Sequence, residues 1–290
     1  MEVALILDEM ERLLGREPRV LNPVPVRYPV AGAQPTDGTR RLAIVDCEGT
    51  GLDTENDELI DIGVLAVDVA GDGSVAAACR PVHGFRDPGI PIPEAVVRLT
   101  GIDDTMVRGT ALPMRELQLA LQHCEFVVAH NAAFDFKFFA RVWPESTCIP
   151  WLCSLSDIDW AGHGVSSAKL DYLAMLHGFT FRAHRAIADV YALAAVLAST
   201  LPDGSRTGFR ELLDAASSPG YAVKATGAPF AAKDTLKRRG YRWDAEAKVW
   251  HTRVRGAASL DEERDWLTSA VYGGVFRGAV VPLDPLNRFG

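Results

Sequence analysis

The sequence lacks several features that would assign it to a specialised class of protein. It contains no apolar run long enough to span a bilayer. Its acidic, amphipathic start has no basic segment and no small-residue cleavage site, which is not typical of a signal peptide. The five cysteines form no CxxC pair, so the sequence predicts no zinc site and a reducing compartment. We therefore expect a cytoplasmic protein that does not bind membranes.

Basic residues are also in short supply. Lys and Arg number 30 against 38 Asp and Glu, which gives a formal net charge of −8. This balance argues against a protein that holds nucleic acid through a broadly basic surface. It does not exclude an enzyme that engages phosphate groups through metal ions. The length of 290 residues, 48% of them hydrophobic, indicates one large domain or a domain with a smaller appendage.

The most informative stretch is LAIVDCEGTGL, at residues 42–52. Its apolar start predicts a buried strand, and side chains two residues apart on a strand point to the same face. Asp46 and Glu48 are therefore expected to project together, with Cys47 on the opposite face. Two such carboxylates repel one another unless a cation or a proton lies between them, and hard oxygen ligands suit Mg²⁺ or Mn²⁺. Taken alone, the stretch is equally consistent with a solvated strand end that carries two unrelated acids.

A second acidic candidate follows the next buried strand, which is predicted over residues 125–130. The segment 132–142 predicts a helix that Asn131 caps and that carries Asp135 in its first turn. Four phenylalanines make this helix apolar around much of its surface. A carboxylate among such neighbours is a candidate functional residue.

A late helix supplies the last candidates. The alanine-rich segment 186–199 predicts a helix that contains Asp189, and His184 lies on the turn just before it. A histidine on such a turn is freer to orient toward a site than one fixed on a helix surface. Alone, it is more often a plain surface residue. The remaining predicted elements are strands over 41–46, 58–69 and 74–82, a short strand within 151–160, and helices over 3–14, 91–100, 113–123 and 168–177.

Together these residues form one ordered set, Asp46-x-Glu48, then Asp135, then His184-x4-Asp189. The set resembles the DEDD superfamily of 3′–5′ exonucleases in its histidine-bearing (DEDDh) branch. Relatives in that branch include the proofreading subunit of bacterial replicative DNA polymerase, oligoribonuclease and ribonuclease T. Supporting segments at residues 92–93, 99–102 and 128–131 match the proofreading type in order and spacing. The resemblance covers roughly residues 40 to 201.

This resemblance implies an α/β protein with an RNase H-like αβα domain around a mixed central sheet. It also implies a metal-dependent 3′–5′ exonuclease that releases nucleoside 5′-monophosphates from DNA 3′ ends, in proofreading or repair-like work. Two Mg²⁺ or Mn²⁺ ions are expected per active site. Asp46 would bridge both, Glu48 and Asp189 would complete the water-activating site, and Asp135 would support the second ion. His184 would be the general base.

The sequence departs from the family pattern at Gly49, which follows Glu48 where a threonine is usual. Because that threonine commonly helps to grip the terminal nucleotide, substrate affinity is expected to differ. The resemblance places six residues against the substrate: Gly49, Thr50, Leu52, His130, Asn131 and Phe134. For Phe134, a plain role in the core fits equally well.

The composition changes after residues 202–205. We predict an N-terminal helix and proline-rich arm over 1–39, the exonuclease domain over 40–216, and a small basic α+β module with a tail over 221–290. In this module, Trp243 and Trp250 flank a hairpin turn and are both expected to pack on a helix over 233–239. The interleaved aromatic and basic residues suggest a grip on nucleic acid. A packing appendage with solvated lysines is an equal alternative.

The predicted partner is nucleic acid, as single-stranded DNA or a 3′ end. RNA is an alternative substrate, because no residue decides which sugar is recognised. A catalytically silent nucleic-acid-binding scaffold is the rival from another class. Retention of the full set of acids and the histidine argues against it, since a binding module has no need of repelling carboxylates. A polymerase or helicase partner is a further hypothesis that the sequence leaves open.

Overall fold

The computed structural model describes residues 22–23, 29, 31–283, 286 and 288–289. The predicted helix over 3–14 and most of the proline-rich arm lie outside these residues. Within them, strand β1 (Asn22–Pro23) pairs in parallel with β8 (Phe179–Thr180). None of the helices in these segments is both long and apolar enough to cross a membrane.

The larger sheet has six strands and mixed topology. Its strands are β2 (Thr39–Gly49), β3 (Leu59–Ala70), β4 (Val75–Ala78), β5 (Val82–Phe85), β6 (Cys124–Ala129) and β7 (Trp151–Cys153). They lie in the order β4-β3-β2-β6-β7, with β5 also paired to β3. The β3 pairings are antiparallel, whereas β2, β6 and β7 run parallel. Parallel strands need crossover helices, so the carboxyl ends of β2, β6 and β7 meet at one edge.

The third predicted strand, over 74–82, is wrong as a single element. The structure has two shorter strands there, β4 and β5, and both pair with β3. The interruption includes Pro81, which has no N–H to donate to a ladder. The predicted hairpin at Gly71-Asp72-Gly73 is present, with Gly73 at a φ of 86°.

Helices cover both faces of this sheet and enclose two cores. They are α1 (Glu94–Thr100), α2 (Asp104–Val107), α3 (Met114–Leu121), α4 (Ala132–Val142), α5 (Leu170–Leu176), α6 (Ala186–Ala198) and α7 (Gly208–Ser217). One core joins Leu42 and Ile44 of β2 to α6. The other joins Ala43 and Val45 to the phenylalanines of α4. The alternation of β2 therefore places its even-numbered residues toward α6 and its odd-numbered residues toward α4.

The C-terminal part forms a second, four-stranded sheet. Its strands are β9 (Gly220–Lys224), β10 (Arg242–Asp244), β11 (Val249–Arg255) and β12 (Ala279–Pro282), in the antiparallel order β10-β11-β9-β12. Helices α8 (Lys233–Arg238) and α9 (Ala257–Ala270) accompany it. The predicted strand, helix and hairpin are present. Strand β12 lies in the segment predicted to be a tail, so this strand was missed.

The two tryptophans of this second unit differ in their surroundings. Trp250 packs into the small core around Val223, Leu236 and Leu267, as predicted. Trp243 lies on the edge strand β10 and contacts Trp250 with ring centroids 5.5 Å apart. It shares the helix side of the sheet with Trp250 but remains 50% exposed, so its ring is covered only in part. An edge strand has no neighbour to cover its outer side chains.

Candidate active site

The end of β2 presents its two carboxylates together, as the alternation predicts. Cys47 is buried in the α4-side core, so Asp46 and Glu48 point to the α6 side. Oxygen atoms of Asp46, Glu48 and Asp189 all lie within 4.8 Å of one another. The alternative of a solvated strand end is therefore excluded by geometry, because a third acid from a distant helix converges on the pair.

The first turn of α6 places Asp189 in this cluster. The backbone N–H of Arg185 donates to Asp189 Oδ2 at 2.9 Å, so the carboxylate caps the N-terminus of its own helix. This bond fixes one carboxylate oxygen. Asp189 also packs at the junction where the helix begins to cross the sheet, so its position is set by the same contacts that hold the core.

Asp135 approaches from the opposite face of the sheet. It lies in the first turn of α4, is only 2% exposed, and accepts a hydrogen bond of 3.0 Å from the backbone N–H of Cys47. This bond ties α4 directly to the strand end that carries Asp46 and Glu48. Asp135 is not a member of the three-residue cluster, although its charge raises the pKa of Asp46.

Burial is the largest influence on all four acids. It raises the pKa of Asp46 well above its usual range, and repulsion from Asp135, Asp189 and Glu48 acts in the same direction. Burial and the charge of Asp189 raise the pKa of Glu48 to about 8. Burial also raises the pKa of Asp135 to about 7 and that of Asp189 to about 6. Near neutral pH, Asp46 and Glu48 therefore hold protons unless a cation compensates their charge.

His184 lies on the turn before α6, as predicted, and its side chain is exposed. Its backbone has a φ of 64°, in the left-handed region that few non-glycine residues adopt. The histidine is not a member of the acidic cluster. An exposed ring five residues before Asp189 is free to turn toward a substrate bound at the carboxylates.

Asp61 is a buried acid beside the site that the sequence analysis did not select. It lies on β3 directly opposite Glu48 and is fully buried. Its carboxylate accepts from His83 Nε2 at 2.8 Å and from the backbone N–H of Ala186 at 3.2 Å, the first residue of α6. Asp61 thus fixes the helix start that positions both Asp189 and His184. The signal in the sequence is weak, because Asp61 is one of two aspartates in the apolar strand β3.

The loop after β2 uses its predicted substrate residues in different ways. Leu52 is 87% exposed and is free to contact a ligand. The Thr50 hydroxyl donates to Asp57 Oδ1 and accepts from the Glu58 N–H, both at 3.0 Å, so it serves the loop itself. A Cβ on Gly49 would lie 2.9 Å from Phe138 Cζ. A threonine at this position requires Phe138 to move, which gives a packing reason for the departure from the family pattern.

The residues after β6 form a second group of predicted contacts. His130 Nε2 donates to the Ala168 carbonyl at 2.7 Å, and its Nδ1 lies 2.8 Å from Ser154 Oγ, so both ring nitrogens are bonded within the protein. Phe134 is half-buried against Phe138, with ring centroids 5.0 Å apart. Asn131 occupies the N-cap position of α4 as predicted, but the expected side-chain capping bond is absent. Its φ is 85° and its side chain makes no capping bond, because the left-handed backbone turns it outward.

Comparisons with known proteins show which family this chain is similar to. Residues 43–197 match the exonuclease family RNase_T. The DNA polymerase III subunit epsilon of Aquifex aeolicus is 30% identical over 174 residues, which are 58% of this chain and 82% of that protein. The PolC-type DNA polymerase III of Caldanaerobacter subterraneus is 29% identical over 182 residues, 59% of this chain. Those residues span only 12% of the polymerase.

A solved structure shares the fold. Escherichia coli exonuclease I, in its zinc-bound complex with single-stranded DNA, superimposes with a TM-score of 0.50 at 14% identity. The superposition covers 86% of this chain and 66% of that one. The mixed sheet with helices on both faces is thus the RNase H-like exonuclease fold that the resemblance implies.

Proposed function

This chain belongs to the RNase_T family of exonucleases, and we propose that it removes nucleoside 5′-monophosphates from the 3′ ends of DNA in proofreading or repair-like work. The observation that carries the proposal is the convergence of Asp46, Glu48 and Asp189 at one edge of the sheet. These three acids lie close together and only partly exposed, and they repel one another whenever they are ionised, so their closeness does not stabilise the fold. A cation-dependent reaction explains them.

Exonucleases of this family depend on divalent metal ions, and the residues present fit such ions. The donors are all carboxylate oxygens, which favour Mg²⁺ or Mn²⁺ over softer metals. We propose two ions: Asp46, Glu48 and Asp189 would hold one, and Asp46 and Asp135 would hold the other. The hydrogen bond from Cys47 leaves Asp135 with its second oxygen for this purpose.

When bound, the ions would lower the pKa of a water molecule and neutralise charge that builds on the phosphate. The residues of the chain supply the remaining parts of the reaction. His184 accepts the proton of the attacking water on its imidazole, because histidine is the side chain that most often serves as a general base. Leu52 packs against the terminal base, and Phe134 contacts it from the α4 side.

Three further assignments form part of this proposal. Residues 40–216 act as the exonuclease domain and residues 221–290 as a separate basic module. The protein works in the cytoplasm, which the five free cysteines support. DNA is the preferred polymer, which the similarity to DNA polymerase III proteins supports. RNA is the alternative, and a direct comparison of the two polymers decides between them.

The test is digestion of single strands labelled at either the 3′ or the 5′ end, in DNA and RNA versions, with Mg²⁺, Mn²⁺ or EDTA. We expect a ladder that shortens from the 3′ end of DNA, requires the metal and is absent with Asp46→Ala. The matched control is Asp72→Ala, which removes an exposed carboxylate in the distant β3–β4 hairpin and should leave the ladder intact. Binding of either polymer without cleavage under every condition would support the scaffold alternative and overturn the proposal.

A further inference from the structure

One face of the C-terminal sheet carries a run of cations. Val223, Trp250 and Val254 point to the other face, into the core with α8 and α9. On the face that remains, Arg242 lies directly opposite His251, and His251 lies directly opposite Lys224. Arg253, two residues beyond His251 on β11, shares this face. We call Lys224, Arg242, His251 and Arg253 the basic face.

Among the residues that the structure describes, the charged side chains of the basic face form no ion pairs with carboxylates. Over residues 31–283 and the few described beyond them, no carboxylate lies within 4.0 Å of the charged nitrogens of Lys224, Arg242 or Arg253. Asp244 shares this face and its charge acts to raise the pKa of His251, but its Oδ1 already accepts from two N–H groups of the hairpin turn. Partial burial and the charge of Arg253 lower the pKa of His251, with Lys224 and Arg242 adding to the effect. Arg242 and Arg253 are exposed, so a ligand can reach them.

Contacts anchor this face at the active-site edge of the larger sheet. Asp157 follows β7, whose carboxyl end lies at the same edge as those of β2 and β6. Arg255, next on the same face after Arg253, pairs with Asp157 at 3.0 Å, and Arg288 pairs with it at 2.6 Å. The guanidinium of Arg253 also lies 5.8 Å from the ring centroid of Phe289. The Phe289 ring in turn contacts Phe136 of α4, the helix that bears Asp135.

We propose that the basic face binds the phosphate backbone of the single strand whose 3′ end lies at the carboxylates. This inference rests on the proposed exonuclease function and extends it to the part of the substrate upstream of the cleaved bond. Cations in one row, without carboxylate partners, repel one another and gain most from an anion that contacts several at once. A nucleic-acid backbone is a linear anion of this kind, and releasing its counterions supplies the affinity.

The surrounding charge supports a strand rather than a small anion. The chain as a whole carries a formal charge of −8, so its general field repels nucleic acid. A local row of cations offsets that repulsion only where the backbone lies along it. The row spans three neighbouring strands, roughly 10 Å at the usual spacing, which is longer than one phosphate group.

The test measures binding of a fluorescent oligothymidylate in EDTA, where it is not cut, over a range of salt concentrations. The variant Lys224→Gln/Arg242→Gln/Arg253→Gln should lower the slope of log affinity against log salt by about 2, since each phosphate contact on a single strand contributes about 0.7. Near 0.1 M salt its affinity should fall on the order of tenfold to a hundredfold. Cleavage of a trinucleotide, too short to reach the basic face, should keep the wild-type rate.

The matched control is Lys233→Gln/Lys237→Gln/Arg238→Gln on α8. It removes the same charge from the same module, on the helix side of the sheet. Equal slopes for the two triple variants would overturn the proposal, because bulk charge would then explain the binding. If the first triple variant is misfolded, the single exposed variants Arg242→Gln and Arg253→Gln should each lower the slope by about 0.7, and unchanged slopes would overturn the proposal.

The same experiment separates this inference from the proposed function. A wild-type protein that cleaves no strand but shows the slope difference would overturn the exonuclease proposal and leave a binding surface. If the wild-type protein cleaves the trinucleotide and the basic-face variant binds long DNA as tightly as wild type, the exonuclease proposal stands and the proposed role of the basic face is overturned.

Discussion

The two sheets of this protein each gather like charges, of opposite sign and at different depths. At the edge of the larger sheet, Asp46, Glu48 and Asp189 converge in a largely enclosed site, and their pKa values rise. On the smaller sheet, Arg242 and Arg253 both have exposed side chains, although burial against neighbouring groups lowers the pKa of Arg253. How deeply the charges are buried decides how strongly their repulsion affects folding. Repulsion among buried charges opposes folding, whereas repulsion among exposed charges is screened by solvent and salt.

The largest expected effect comes from removing one member of the buried cluster. Glu48→Gln should lower kcat by about a thousandfold, since a metal ligand supports several kcal/mol of charge stabilisation in the transition state. In EDTA at pH 8, the same variant should melt at a higher temperature than wild type, because one repelling charge is gone. Rate measurements and thermal melts check both parts.

Glu58→Gln is the matched control for that prediction. Glu58 pairs with Arg86 and Arg141, at 2.8 and 2.7 Å. Its replacement should lower the melting temperature and leave the chemical step nearly unchanged. If Glu48→Gln instead lowered the melting temperature in EDTA, the idea that the acidic cluster opposes folding would be wrong.

The next effect concerns the proposed base. His184→Ala should lower kcat by about a hundredfold to a thousandfold, with little change in KM, because proton transfer is lost but the carboxylates remain. His123→Ala is a close control. His123 is also an exposed histidine with a positive φ, 65° against 64°, so both variants share the same backbone strain. Equal rates for the two variants would remove His184 from the mechanism.

A smaller effect is expected from Asp61→Asn, which tests whether the start of α6 must be fixed for activity. An asparagine amide cannot accept from both His83 and the Ala186 N–H as the carboxylate does. Apparent metal affinity should fall by about tenfold to a hundredfold, as for other groups that orient ligands. Titration of activity with Mn²⁺ measures the change.

Asp68→Asn provides the comparison for Asp61 on the same strand. Asp68 is equally buried but pairs with Arg41 at 2.7 Å, away from the site. The Asp68→Asn protein should lose about 3–5 kcal/mol of stability, because one partner of a buried ion pair is removed. Its metal affinity should not change. A shift in metal affinity for Asp68→Asn would show that general loosening of β3, and not the position of α6, explains the Asp61 result.

The smallest effect is on stability alone. The four acids have pKa values in the metal-free fold above their ordinary values, at about 6 for Asp189, 7 for Asp135 and 8 for Glu48. When folding raises the pKa of a carboxyl group, the folded protein keeps its full stability at any pH below the pKa of the unfolded state, near 4. It loses stability as the pH rises from there through the pKa of the folded state. In EDTA, stability should therefore fall between about pH 4 and 8 by on the order of a few kcal/mol.

Adding Mn²⁺ should reverse this loss most strongly at the upper end of that range, because the ion binds the ionised carboxylates of the folded state. Thermal melts across pH, with and without Mn²⁺, make the measurement. A basic-face variant serves as the comparison and should show the same pH profile as wild type. A metal-free protein whose melting temperature does not change over this range would contradict the account of the buried cluster.

Much of the fold and the carboxylate set follow from local sequence patterns. The alternation in residues 42–52 correctly predicted that Asp46 and Glu48 share a face, because strand geometry fixes that relation. Asp61 could not be found in this way. It and Asp68 are both aspartates within one apolar strand, and only strand register and the path of α6 make one a site residue and the other an ion pair.

The remaining misses have the same origin. Whether Asn131 caps α4 depends on a left-handed backbone that the β6–α4 junction imposes. The break between β4 and β5 depends on which residues of β3 pair with each of these two strands, and Pro81 lies in the gap between them. The basic face depends on cross-strand register, which joins residues of β9, β10 and β11 that lie far apart in the chain.

The close approach of Gly49 to Phe138 couples the sizes of two positions that are distant in the sequence. Gly49→Thr alone should destabilise the protein by about 1–3 kcal/mol, and Phe138→Leu alone should leave a cavity. In the double variant, the smaller leucine side chain at position 138 leaves room for the threonine at position 49. The double variant should therefore be more stable than the sum of the two single destabilisations predicts. Related chains that have a side chain at the first position should therefore have a smaller residue at the second, a pairing that a collection of family sequences can reveal.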